Sequence, residues 1–194
     1  MVYMIRLCSR GFTQRRKQSR YFFGVLLGAL LYHSSAFAQN AAALHARNTA
    51  LQAQLSNNQF GKPLYLESSE QSGALQGDVY ARIDQPFAVA GPALLGSTHW
   101  CEILILHLNV KGCRPNRLST GETINLTVGR KFEQPLDDGY QFEFKYNVTQ
   151  LDTNYEQIEL SAPTGPFNTS NYKIMLEVTS LDATHSFLHL SYAY

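Results

Sequence analysis

Acidic residues are missing from the first third of the chain: none occurs before Glu67. Cysteine is scarce, three in 194 residues, and tryptophan occurs once, at Trp100. No apolar run approaches the roughly 20 residues a membrane-spanning helix needs. Catalytic fingerprints are missing too. There is no G-x-S-x-G elbow, no phosphate-binding P-loop, no dinucleotide-binding glycine motif and no HExxH pair. Low-complexity tracts and repeats of fixed period are also absent, which excludes solenoids and other repeat arrays.

What fills the acid-free stretch is basic, then apolar, then small. Arg6, Arg10, Arg15, Arg16, Lys17 and Arg20 precede "YFFGVLLGALLY", and Ala36 and Ala38 follow. A basic region, a short apolar run and an A-x-A site form a secretory signal pattern, so residues 1–38 are expected to be removed by cleavage after Ala38. A membrane anchor is the competing reading, and the short apolar run argues against it. Arg15-Arg16 lacks the apolar pair of a twin-arginine signal, and Cys8 precedes the apolar run, so it is not a lipoprotein anchor.

Removing that segment changes the charge. The chain has sixteen Lys and Arg against fifteen Asp and Glu, with six bases and no acids in residues 1–38. Ten bases against fifteen acids remain, a net charge of −5 with histidines neutral. That disfavours a nucleic-acid footprint, and it disfavours adhesion to anionic lipid by overall charge alone. Cys101 and Cys113 also remain, bracketing "WCEILILHLNVKGC". In an oxidising compartment a bridge between them would stabilise by about 3 kcal/mol. Two buried thiols, or a metal or redox pair, are the alternatives, and the spacing is far longer than C-x-x-C.

Along the chain, residues 39–62 read as a helical arm, with Leu44, Leu51 and Leu55 on one stripe. "FGKPLYLESSE" and "ALQGDVYARID" alternate as strands and could pair as a hairpin. After Asp84, an acidic N-cap candidate, the spacing predicts two short helices over 85–95 and 97–107, the second capped by Ser97 or Thr98. Trp100, Ile103, Leu104 and His107 would share a face of it, with Lys111-Gly112 and Arg114-Pro115 as a closing loop. From Gly121 onward the chain alternates with period two, and hairpin-length turns punctuate it. This is an antiparallel meander, and the whole is an α+β order.

The strand "GDVYARID", the segment "QPFAVAGPALLGSTHWCEIL" and the meander from "TINLTVGRKF" to "SFLHLSYAY" together resemble the helix-grip, START-like superfamily. That superfamily includes lipid-transfer and polyketide cyclase-like proteins. The likeness covers residues 63–194 and extends to exported bacterial proteins of this kind. It implies a curved antiparallel β-sheet gripping short helices, with an apolar molecule bound between sheet and helix. Such folds close with a long C-terminal helix, and none follows "SYAY". The expectation is therefore a truncated chain, or a sheet face covered by the 40–58 helix or by a second subunit.

The expected ligand wall comprises Trp100, Ile103, Leu104 and His107 from the helix, with Tyr140, Phe142, Phe144 and Tyr146 from the sheet. Tyrosine hydroxyls there could orient a ligand, although the same residues could simply fill a core. His99, Glu102 and His107 lack metal-ligand spacing, and Asp137-Asp138 sits in a turn composition. Arg130-Lys131 reads as a solvated strand end, and His185 and His189 as ordinary pairing residues. No metal or cofactor is expected. The reading is an exported carrier of a hydrophobic small molecule or lipid. A cyclase- or hydrolase-like enzyme using the same cavity is the alternative, and a non-catalytic structural product is the third.

Overall fold

The computed structural model describes residues 36–71 and 73–194. The expected export segment lies outside the described residues except for Ala36–Ala38, the first residues of helix α1 (Ala36–Ala50). A short helix, α2 (Gln52–Ser56), follows. Strands β1 (Leu64–Gln71) and β2 (Ala74–Ile83) pair antiparallel, as the alternation suggests. Helices α3 (Phe87–Leu94) and α4 (Ser97–Leu104) come next. Then come β3 (Val110–Leu118), β4 (Gly121–Val128), β5 (Tyr140–Leu151), β6 (Tyr155–Thr164), β7 (Ser170–Ser180) and β8 (Ser186–Ala193).

The eight strands form one curved, open, antiparallel sheet in the order β1-β2-β8-β7-β6-β5-β4-β3. The segment after β2 therefore crosses to the opposite edge, carrying α3 and α4 with it. The meander then walks back until β8 meets β2, with Val79 opposite Leu190. Period-two alternation gives each strand two faces, and both are occupied. One face holds Ile124, Phe144, Tyr146, Ile158, Leu160, Leu176 and Val178 against α3, α4 and Trp100. The other holds Tyr80, Tyr155 and Phe187 against Leu44, Leu51 and Leu55 of the N-terminal segment. The leucine stripe of residues 39–62 thus packs on the sheet, and Ala36–Tyr194 form one compact unit.

Five expectations are corrected. The first helix begins at Phe87 with Pro86 as its N-cap, not at residue 85 with Asp84 as its cap. A residue before proline avoids helical backbone, so Gln85 cannot enter the helix. The N-cap of α4 is Gly96 at φ 92°, not Ser97 or Thr98. That left-handed turn suits glycine, and its N–H donates to the Tyr146 hydroxyl at 2.7 Å. The helix ends at Leu104, short of the expected 107. Residues 111–115 are strand rather than loop, because β3 is an edge strand and an edge tolerates Pro115. Finally, α1 and α2 cover the face opposite α4, so the 40–58 segment does not close the side on which Trp100 packs.

Candidate functional site

On the α4 side the sheet carries an aromatic lattice. Phe142 and Phe144 meet edge to face with centroids 5.1 Å apart, and Tyr172 stacks on Tyr194 at 5.0 Å. Beside it lies a cavity of about 360 Å³. Its floor includes Leu126, Phe142, Phe144 and Ile174, and its rim includes Leu104, His107 and Tyr192. A mostly apolar concavity with few polar groups is the usual form of a small-molecule site.

Local structure explains the shape. Helix α4 stops one turn before His107, and His107 N–H bonds the Leu104 carbonyl at 3.1 Å in a tight turn. Asn109 donates its backbone N–H to His107 Nδ1 at 3.2 Å, which fixes the imidazole at the rim. At the far wall Gly165 lets the Tyr172 ring approach, since a Cβ there would stand 2.1 Å from a ring carbon. The Tyr172 hydroxyl lies 2.7 Å from Thr169 Oγ1. Burial, followed by the neighbouring Tyr172 and Tyr194, pushes the Tyr192 hydroxyl well above its usual range, so it stays protonated.

Leu104, His107, Phe142 and Phe144 line this cavity. Trp100 and Tyr146 are buried in the adjoining core instead, Tyr146 capped by Gly96. Ile103 and Tyr140 are exposed beyond it. Ile103 turns outward because it is one residue, about 100° of helix, from Leu104. Cys101 and Cys113 place their Sγ atoms 1.99 Å apart, tying α4 to β3.

The other candidates are scattered. His99 Nδ1 lies 2.7 Å from the Leu95 carbonyl on an exposed helix face, and Glu102 is exposed. Among the described residues no group of three His, Cys, Asp or Glu gathers as metal ligands would. Asp137 and Asp138 lie in a short 3-10 turn. His185 is paired with Asp182 at 2.9 Å in the β7–β8 turn.

Two buried polar features escaped the sequence reading. His189 sits between Glu177 at 2.9 Å and Asp78 at 2.8 Å, with the Tyr155 hydroxyl donating to Glu177 at 2.6 Å. Burial opposes the imidazolium, but the two carboxylates outweigh it and hold its pKa above the ordinary value. Glu156 is fully buried with no protein partner on either carboxylate oxygen, and burial pushes its carboxyl up to about 7. Alternation places His189 on the Phe187 side of β8 and Glu156 on the Ile158 side of β6. The signal for both lay in the register between strands.

No family model matches the chain, and no curated protein matches it. Among solved structures it is similar to EF2215, a conserved protein of unknown function from Enterococcus faecalis. The identity there is 8% and the TM-score 0.41, covering 73% of this chain and 66% of that one. It is also similar to CalU16 from Micromonospora echinospora, at 12% identity and a TM-score of 0.31, covering 68% and 67% respectively. Among the described residues no helix is long and apolar enough to cross a membrane.

Proposed function

We propose that this chain is an exported START-like binding or carrier protein for a hydrophobic small molecule or lipid, acting in the periplasm or outside the cell. The observation that carries the reading is the cavity of about 360 Å³ between the α4 turn and the aromatic sheet face. Burying an apolar ligand there releases water from Phe142, Phe144 and Ile174, and His107, Tyr172 and Tyr192 orient its polar end. The export reading rests on the basic, apolar and A-x-A pattern of residues 1–38 and on the paired Cys101 and Cys113. The lining holds no carboxylate, serine or cysteine, so in the second reading, a cyclase- or hydrolase-like enzyme using the same cavity, His107 is the acid–base group.

Native mass spectrometry of the protein purified from its export compartment tests this. The expected result is an apolar molecule retained by the native protein and lost from Leu190→Trp, whose indole fills the cavity. Protein that emerges unliganded, and that fails to take up a fluorescent fatty-acid analogue, would overturn the carrier function.

A further inference from the structure

Large apolar side chains normally scatter singly over a protein surface. Among the described residues the three most exposed of them lie on the turn that follows α4 and on the loop that follows β4. Leu106 is 80% exposed, Leu108 68% and Phe132 66%, with Ile105 beside them at 45%. The two segments are stitched together: Gly129 N–H donates to the Asn109 carbonyl at 2.7 Å, and Asn109 Nδ2 donates to the Gly129 carbonyl at 2.8 Å. These two bonds join the turn after α4 to the start of the loop after β4.

Cations flank these apolar side chains. Lys111 Nζ reaches the Leu108 carbonyl at 3.1 Å, and the Arg130 guanidinium lies 5.9 Å from the Phe132 ring centre. Lys131 is exposed next to Arg130. Residues 105–111 and 129–132 contain these three cations and no acid; exposed Glu133 follows Phe132 directly, and Asp137 and Asp138 lie further along the loop. Apolar tips backed by cations match the boundary of an anionic bilayer, where acyl chains lie beneath phosphate. A protein partner would be better served by a flat, continuous patch than by two protruding tips.

We infer that this end of the molecule docks on an anionic lipid surface, with Leu106, Leu108 and Phe132 entering the acyl region and Lys111, Arg130 and Lys131 meeting headgroup phosphates. Leu104, His107 and Asn109 of the same turn region line the cavity, so docking places its rim at the lipid. The docking itself does not require the cavity to hold anything.

Sedimentation of residues 36–194 with vesicles tests it. The vesicles are phosphatidylcholine alone, or phosphatidylcholine with about one-quarter phosphatidylglycerol. The expected result is binding to the anionic vesicles that weakens with added salt. The pair Leu106→Asp and Leu108→Asp should lose more than about tenfold in partitioning, because two acyl-region contacts become charges. Arg130→Glu with Lys131→Glu should lose binding on anionic vesicles, and Leu118→Asp, 57% exposed at the opposite end of β3, should bind like the native protein. Three outcomes would overturn the proposal: no sedimentation with either vesicle, undiminished binding by the Leu106 and Leu108 pair, or a dimer in solution that this pair dissolves. Ligand retention is read separately by mass spectrometry, so either result stands without the other.

Discussion

Polar groups are buried on both faces of the sheet, but they are treated differently. Under α1, the charged and hydroxyl groups of Asp78, His189, Glu177 and Tyr155 each find a partner within 3 Å. Tyr80 stacks on the imidazole at 4.4 Å, Arg47 lies over Tyr80, and Arg47 also pairs with Glu67 of β1. The leftovers on that side are the Nε atoms of Arg47 and Arg82. Under α3 and α4, the Glu156 carboxylate and Trp100 Nε1 are buried with no protein partner. A satisfied network rigidifies what it joins, whereas an unsatisfied group costs free energy that apolar packing must offset. The cavity lies on the second face. The fold thus places its stiff polar clamp on one side and its apolar space on the other, with the same eight strands serving both.

The clamp is where that contrast breaks most visibly. Replacing His189 with leucine leaves Asp78 and Glu177 facing one another without a cation. Urea unfolding near neutral pH should show a loss of about 3–5 kcal/mol, as for other buried pairs cut on one side. Native-like stability in that variant would mean the clamp is not energetically distinct. The pH dependence sharpens the same point. The imidazole pKa is raised above 6.5, so its contribution is full below that value and is lost as pH rises through the folded-state value. Burial opposes the Glu177 charge, but the bonds from His189 and Tyr155 prevail and its pKa is lowered. Its contribution is present above 4.5 and is lost as pH falls through the folded-state value. Stability from this face should therefore peak between the two limits, and His189→Leu should lack the alkaline decline.

A smaller effect of opposite sign is expected on the other face. Glu156 has an ordinary carboxyl value of 4.5 when unfolded and about 7 when folded. Its penalty is absent below the first value, grows between the two and is full above the second. Glu156→Gln should accordingly stabilise by roughly 3 kcal/mol in mildly alkaline buffer and be neutral in acid. A destabilised variant at alkaline pH would show that Glu156 has a partner when ionised. Smallest of all, Val89→Ser on the solvent side of α3 should change unfolding free energy by less than about 0.5 kcal/mol. A larger loss would mean that this half-exposed residue packs more tightly than its 52% exposure suggests.

The elements were legible where their cause is local. Strands β4 to β8 follow from alternation over eight or more residues, and the meander from short turns between them. The β1–β2 hairpin follows in the same way. Helix ends were misjudged because Pro86 and Gly96 determine them through backbone preference, overriding the acidic and hydroxyl cap candidates nearby. Strand β3 was missed because Gly112 and Pro115 are turn residues everywhere except at a sheet edge, and edge position is a property of the assembled sheet. Half of the expected cavity wall lines the observed cavity. Alternation identified the face of β5 correctly but could not say how far along the strand the space begins.

By itself the sequence determined the alternating surfaces, the cysteine pair bracketing the α4 region and the leucine stripe at the N-terminus, because each depends on near neighbours in the chain. Only the tertiary structure decided that β8 closes against β2, and with it everything that needs three strands at once. Asp78 and His189 are 111 residues apart, yet their side chains touch at 2.8 Å. Period-two alternation assigns a side chain to a face but does not say which strand lies beside it, and that register arises only when long-range pairing buries both faces together.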